Sequence, residues 1–539
     1  MSREHAANQR RFLIIDDLAD MRSALRSQLG TLGYNDVALA DGVRSALEHL
    51  AQGSFDVILC DYYLGSGADG QQFLEHLRGQ RMLPRATLFI MITAEKAYSA
   101  VVTAAESLPD DYLIKPFTAD TLRVRLQHLL EKKARLLRID SLQDKGRWTE
   151  VIAECDLLIA SGDRFKADAM RIRGQALLAC GRNDEALEFY RKVLDVRPLP
   201  WARLGLARAQ QGLERLDECH GTLLQLIEEA PQLLAAYDLL SRVELARGEA
   251  DAALRTLDKA CEVSPDSLSR LRAIAAVAET QADYERVKTS LHRVLKRTQF
   301  SPLRDTGDVA QLSSAYVETG EPEVAIALIE DARKAFKADA RSPQLAAMEA
   351  LAHHKAGRPE QAAAALAVAL EAAPQDLPPD AALRVAQACL ATGRPDEGET
   401  ILKNLIQGNP GAATLHTKAT ALVKNYISPE RAATLVDECS AEIVTLNNEA
   451  VRLGKEGHYD AAARMLSEAA KRLPDNPQIV ANAAAALLAD VYNTGLDADK
   501  LRRALELQQR LQTLAPEHPR HKVLGELQSR IRTRYAQPG

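Results

Sequence analysis

The chain has 539 residues, too many for one compact core, so several domains or an extended array are expected. Hydrophobic residues make up 46% of it but aromatic residues only 4%, a balance that suits Ala- and Leu-rich helix packing and argues against a β-rich core. The formal net charge of -6 excludes the basic footprint of a nucleic-acid binder. The opening MSREHAANQRR lacks the apolar core of a signal peptide, and the longest apolar stretches, such as AAAALAVAL at 362–370, are too short to span a bilayer. A cytoplasmic chain without membrane insertion is expected. Seven cysteines stand singly, with no CxxC pair, as in a protein kept reduced that uses Cys as a small buried residue.

In chain order, four short apolar runs each end at a polar residue. FLII precedes Asp16 and Asp17, DVILC precedes Asp61, TLFIMI precedes Thr93, and DYLI precedes Lys115 and Pro116. Runs of this length bounded by turns read as buried parallel strands, which puts all these polar groups at one sheet edge, where open α/β sheets bind ligands. Three carboxylates held close together repel, and a hard divalent cation with oxygen ligands relieves them; Mg²⁺ is the expected occupant. Such an edge reads as a phosphate-accepting acid pocket, in which the cation and Lys115 would neutralise the negative charge of the ligand.

The spacing of these runs and the helical patterns between them resembles the receiver domain of two-component response regulators, over residues 11–131. The resemblance implies an α/β, flavodoxin-like, five-stranded parallel sheet, with Asp61 as the phosphoacceptor. It also implies that Asp16, Asp17, Asp61 and the main-chain carbonyl of Tyr63 hold Mg²⁺, directly or through water. Lys115 would meet one phosphoryl oxygen and the Thr93 hydroxyl another. Phosphorylation would draw Thr93 inward, and Tyr112 would fill the vacated space and remodel the surface of the fourth helix, fifth strand and fifth helix. A cis bond is implied before Pro116. The phosphoryl donor would be a sensor histidine kinase or a phosphotransfer protein. The loop DYYLGSGADG departs from the family: Gly65 stands where Pro is frequent, and the stretch before Asp69 and Gly70 is one residue longer than usual, so a looser loop is expected. Tyr63 and Glu95 occupy the positions that tune acyl-phosphate lifetime in the family.

From Ala119 onward the pattern is helical and punctuated by turns at Gly146, Gly181, Gly212, Gly248, Ala282, Gly320, Gly357, Gly393 and Gly457, mostly thirty-odd residues apart, which marks an internal repeat. Five residues after each turn begins a column of apolar positions: Ala186, Tyr190 and Val193; Ala253, Leu257 and Ala260; Ala362, Leu366 and Ala369; Ala462, Leu466 and Ala469. Pro198, Pro231, Pro265, Pro374, Pro410 and Pro474 follow at matching offsets and stop the second helix. These units resemble tetratricopeptide repeats, most strongly at 167–198, 234–265, 343–374 and 443–474. An all-α superhelical solenoid of about eleven helix pairs over 132–518 is expected, including an irregular unit with Ala432, Val436 and Cys439 and a last unit near Ala504 with an insertion at DVYNTGLDADK. A capping helix and tail follow over 519–539. The resemblance implies a right-handed superhelix whose concave groove binds a peptide or protein, with Arg171, Trp201, Arg208, Asp238 and Arg242 as groove candidates; an aromatic such as Trp201 at helical spacing is more often packing than contact.

No Gly or Pro interrupts the stretch from Thr118 to Gly146, so a helix capped by Thr118 either runs from the receiver-like part into the first repeat or breaks near Arg138. His353 and His354 are adjacent on one helix and face different ways, which argues against a metal site. Lys132, Lys133, Arg135 and Arg138 are interleaved with acids and read as a solvated face, with no nucleic acid implied. The tail has no cyclase, phosphodiesterase, helix-turn-helix or kinase signature, so the only expected catalysis is the receiver's own phosphorylation and dephosphorylation. Three functions fit: a response regulator whose Asp61 controls protein binding by the array, a phosphate sink tethered near a kinase, and a constitutive scaffold with an uncoupled receiver. The partner of the groove is unidentified, another signalling enzyme being one candidate, and oligomerisation stays open.

Overall fold

The computed structural model describes residues 10–65, 69–80, 82–94, 109–265, 267–299, 304–335, 342–515 and 518–535. The chain divides into two compact units, Met1–Asp305 and Thr306–Gly539.

The first unit opens with five parallel strands in the order β2-β1-β3-β4-β5: β1 Phe12–Ile15, β2 Val37–Ala40, β3 Val57–Asp61, β4 Leu88–Thr93 and β5 Asp111–Ile114. β1, β3 and β4 are buried along their whole length, as strands covered on both faces must be. Alternate residues serve opposite faces. Leu13, Ile15, Ile58, Cys60, Phe89 and Met91 pack with Phe73, Leu74 and Leu77 of α3 (Gly70–Gly79) and Val43 and Ala46 of α2 (Val43–Gln52). Phe12, Ile14, Val57, Leu59 and Ile90 pack with Leu25 and Leu29 of α1 (Ala19–Thr31) and with the next helix. The register pairs Ile15 with Cys60, Asp61 with Ile92 and Thr93 with Ile114, so the carboxyl ends of β1, β3, β4 and β5 lie level. The expected fourth helix, together with Glu95, falls outside the described residues.

Thr118 caps α4, Ala119–Asp144, its hydroxyl accepting from the Thr121 amide at 3.2 Å. α4 is one uninterrupted helix and has no break near Arg138. Leu122, Leu126 and Leu129 belong to the sheet's core, whereas Leu136, Ile139 and Leu142 belong to the core of the first repeats. Position 131/132, the boundary expected from sequence, therefore lies inside a helix that serves two cores.

Antiparallel pairs follow: α5 Trp148–Ala160, α6 Lys166–Ala179, α7 Asn183–Val196, α8 Pro200–Gly212, α9 Leu216–Glu229, α10 Leu234–Ala246, α11 Ala250–Val263, α12 Leu268–Thr280 and α13 Tyr284–Thr298. The turns at Gly146, Gly181 and Gly248 have φ of 65°, 68° and 79°, the left-handed region that favours glycine. The turn expected at Gly212 is displaced. Gly212 is the last residue of α8, and the left-handed residue is Glu214, at φ 59°. Counting from Glu214, the apolar column becomes Cys219, Leu223 and Leu226, all fully buried, so the repeat's internal spacing is kept and only the residue that takes the left-handed conformation has moved. Ala282 holds the same conformation at φ 57°. Tyr190 is a buried knob, and a Cβ on Gly174 or Gly205 would run into its ring.

The second unit holds α14 Thr306–Glu318, α15 Pro322–Ala335, α16 Pro343–Lys355, α17 Pro359–Ala369, α18 Pro379–Ala391, α19 Pro395–Gly408, α20 Ala413–Tyr426, α21 Pro429–Lys455, α22 Tyr459–Arg472, α23 Pro477–Thr494, α24 Ala498–Leu514 and α25 Arg520–Tyr535. α21 spans 27 residues and joins the second helix of one pair to the first of the next, with Leu435 and Cys439 buried and Ala432 and Val436 half-buried. The insertion near residue 490 lengthens α23 and buries Asp490, which accepts from Lys500 at 2.6 Å; Lys500 also reaches Asp460 at 3.0 Å. Leu524 and Ile531 of α25 close the hydrophobic cluster built on α23. No helix among the described residues is long and apolar enough to cross a membrane.

Two substitutions test this packing by denaturant unfolding of the full chain. Gly205→Ala forces a methyl group against the Tyr190 ring and lowers stability by about 2 kcal/mol, a loss that shrinks in a Tyr190→Leu background. Ala282→Gly relieves a left-handed alanine and raises stability by about 0.5 kcal/mol.

Candidate functional site

Lys115 leaves the end of β5 and its Nζ donates to Asp61 Oδ2 at 3.0 Å and to Asp16 Oδ2 at 3.2 Å. The peptide bond from Lys115 to Pro116 is cis. Asp16 is fully buried after β1, and its Oδ1 accepts from the Leu18 amide at 2.9 Å. Asp61 ends β3 and is 7% exposed, while Asp17 faces solvent. Asp16, Asp17 and Asp61 can each bring an oxygen within 4.8 Å of the others. Such an all-oxygen set at a pocket mouth fits a hard divalent cation.

The charges explain the local titration. Two carboxylates share one ammonium, so one negative charge stays uncompensated. Burial raises the Asp61 carboxyl above its ordinary value, Lys115 opposes that rise, and Asp16 adds to it. Burial works against the Lys115 ammonium, but the hydrogen bond and charge of Asp61, with Asp16 behind, hold its pKa above the usual value.

Thr93 is fully buried at the end of β4, and its carbonyl accepts from the Lys115 amide at 2.7 Å. Tyr112, three residues before Lys115, packs against the cluster containing Phe73, Leu74 and Leu77. Its buried hydroxyl has no hydrogen-bond partner among the described residues, and burial pushes its pKa well up. The Tyr63 side chain is half exposed, edge-on to Tyr62. Gly65 has φ 71°, which proline cannot adopt, and lies over Asp17; residues 66–68, the middle of the expected looser loop, are outside the described residues.

Three contributors escaped the sequence reading. A Cβ on Gly70 would meet the Asp61 carbonyl and, at 2.8 Å, Met91 Sδ, so only glycine lets α3 start so close to β3. Asp69 caps that helix in a capping box with Gln72, at 2.8 and 3.1 Å. The pairing of Asp69 with Gln72 three residues later was the available signal. Arg22 also donates to the Asp16 carbonyl at 2.6 Å.

The groove candidates lie on the first helices of their pairs: Arg171 on α6, Trp201 and Arg208 on α8, Asp238 and Arg242 on α10. Trp201 joins the hydrophobic cluster and meets Tyr190 edge-on at 6.2 Å. Asp238 accepts both arms of Arg270 at 2.8 and 3.0 Å. Arg171 and Arg242 are exposed.

Both parts of the chain are similar to known families. The family model for the response regulator receiver domain matches residues 12–127, and tetratricopeptide repeat models match 136–199, 311–377 and 353–422. Chemotaxis protein CheY-3 of Vibrio cholerae serotype O1 is 34% identical over 122 residues, 23% of this chain and 92% of that protein. Chemotaxis protein CheY of Pseudomonas aeruginosa is 31% identical over 122 residues, 23% of this chain and 97% of that protein. The receiver domain of NtrX from Brucella abortus is a solved structure 26% identical, covering 22% of this chain and 98% of that one, with a TM-score of 0.21. The chain belongs to the response regulator receiver family, with tetratricopeptide repeats following the receiver domain.

Lys115→Met leaves Asp16 and Asp61 facing each other without a cation, and at pH 7.5 the expected loss of stability is about 2 kcal/mol. The loss is smaller at pH 5, where one carboxyl takes up a proton, and millimolar MgCl₂ recovers part of it at pH 7.5. Thermal unfolding at both pH values with and without the salt measures this.

Proposed function

We propose that this chain is a response regulator in which Asp61 accepts a phosphoryl group from a sensor histidine kinase or phosphotransfer protein and thereby changes which protein the repeat array binds. The strongest support is the Lys115 ammonium, which touches both Asp61 and Asp16 beside Asp17 at one sheet edge. In the step proposed, an Asp61 oxygen forms a bond to phosphorus as the donor's P–N bond breaks; the electron pair leaves with the imidazole, which takes a proton. An acyl phosphate results. Asp16, Asp17, Asp61 and the Tyr63 carbonyl would hold Mg²⁺, which when bound supplies positive charge to the phosphoryl oxygens. The Lys115 ammonium neutralises a second oxygen, and the Thr93 hydroxyl donates to a third. Tyr112, with its hydroxyl uncommitted among the described residues, is free to follow Thr93 inward. On the array, the exposed cations Arg171 and Arg242 are proposed to meet the protein partner, with Arg208 between them, while Trp201 and Asp238 hold the helices that carry them.

Treatment of the full chain with acetyl phosphate and Mg²⁺ should add the mass of one phosphoryl group to the peptide containing Asp61, and Asp61→Asn should abolish the adduct. A chain that forms no adduct, or forms one elsewhere, refutes the acceptor role. Pull-down from the native host with the two forms should recover different partners. Rapid turnover with unchanged partners would favour a phosphate sink instead.

A further inference from the structure

α4 is gripped from both directions. From the receiver, Lys133 Nζ on α4 meets Asp110 Oδ1 at 3.1 Å and also donates to the Arg85 carbonyl. The Arg85 amide donates to Asp144 Oδ2 at 3.2 Å, and its guanidinium lies 3.5 Å from Asp144 Oδ1. From the repeats, the turn after α5 reaches back to the receiver's end of the same helix. There Asp163 pairs with Arg135 at 2.6 Å, Asp168 with Lys132 at 2.5 Å, Arg164 with Glu131, and Phe165, 5% exposed, lies 5.8 Å from His128.

Isolated exposed ion pairs contribute little, so the receiver-side node would be unremarkable if its members were free to wander. They are not. Asp110 spends its other oxygen on the Phe89 amide at 2.9 Å, and its own amide donates to the Phe89 carbonyl at 2.7 Å, so it moves with β4 and β5. Asp110 directly precedes β5, and Arg85 shortly precedes β4. β4 ends in Thr93, and β5, which carries Tyr112 near its start, runs directly into Lys115. One end of each rod therefore lies in the acid pocket and the other in the node. Asp140, on the same helix, is 7% exposed with Oδ2 unpartnered among the described residues, and Lys133, Asp110, Asp144 and Arg85 are its charged neighbours. Burial pushes its carboxyl up to about 6, and the neighbouring acids add to the rise. Lys133 is the strongest of the charges opposing that rise, so the Asp140 carboxyl already feels its ammonium.

We infer that the node of Arg85, Asp110, Lys133 and Asp144 is the joint through which the state of the Asp61 pocket reaches the first repeats, by exchange of the Lys133 ammonium between Asp110 and Asp140. The inference rests on the phosphoryl-acceptor reading above. Lys133 is a positioning residue and touches no reacting atom.

The test is hydrogen exchange on the full chain with and without beryllofluoride and Mg²⁺, beside the acetyl phosphate adduct measured by mass. In the wild type, loading should change exchange both around the pocket, over 56–94, and in the repeats, over 148–196. In Lys133→Met the adduct and the change over 56–94 should persist, while the change over 148–196 should fall to less than half. Asp110→Asn, which keeps the side chain's shape, should reproduce that uncoupling and serves if the first variant unfolds. Undiminished exchange changes over 148–196 in a variant that still forms the adduct would overturn the joint, as would a wild type that forms the adduct and changes nowhere beyond residue 144. Absence of the adduct from the wild type would instead bring down the acceptor reading itself.

Discussion

The shared ammonium of Lys115 is the constraint on which the rest of the receiver depends. Two buried carboxylates from different strands can coexist only with a cation between them, because isolated charge in a dry site is costly. That cation comes from a third strand, so β1, β3 and β5 must end level with one another. A parallel sheet with β1 and β3 adjacent and β5 beyond β4 does this, and the register supplies it. The small residue at Gly70 follows from the same demand, since anything larger would push α3 away from the Asp61 carbonyl. Two acids and one base also leave a net negative charge. That residual charge suits the divalent cation and the phosphoryl acceptance proposed for the pocket.

α4 shows how two otherwise different architectures are made continuous. Its first half presents leucines to a sheet whose order rests on contacts distant in sequence, and its second half presents leucines and an isoleucine to helices that pack almost wholly on their neighbours in sequence. Between these apolar halves the contacts are polar, made by Lys132, Lys133 and Arg135 with acids from both sides. A run of basic residues that reads from sequence as a solvated face is thus a face committed to ion pairs within the chain.

The strands, their polar ends and the presence of the repeats were legible because each rests on a local signal. Short apolar runs, an Asp or Lys placed just after them, and glycine at a left-handed turn all leave a mark within a few residues. What stayed hidden depends on chain positions far apart. Nothing local distinguishes Arg85 and Asp110 from other loop charges, and their partners Asp144 and Lys133 lie on a helix that also serves the next module. The Gly212 turn was misplaced for a related reason. Glycine is the strong cue for left-handed backbone, and when Glu214 takes that conformation the cue points to the wrong residue. The apolar spacing to Cys219, Leu223 and Leu226 carried the correct register, so the packing column is a better guide to repeat phase than the turn.

Charge placement also bears on what kind of signal such a joint can carry. An apolar seam resists partial change, because separating packed side chains loses contacts on both sides at once. An ammonium with two carboxylates in reach has two arrangements of similar energy, and a small movement of a strand suffices to choose between them. Lys133 pairs with Asp110 at 3.1 Å, and the buried Asp140, whose Oδ2 has no partner among the described residues, is the second carboxyl that the proposed exchange uses. The receiver and the first repeats are thus joined by apolar packing at the two ends of α4 and by ion pairs between them, and the proposed joint lies in the charged part.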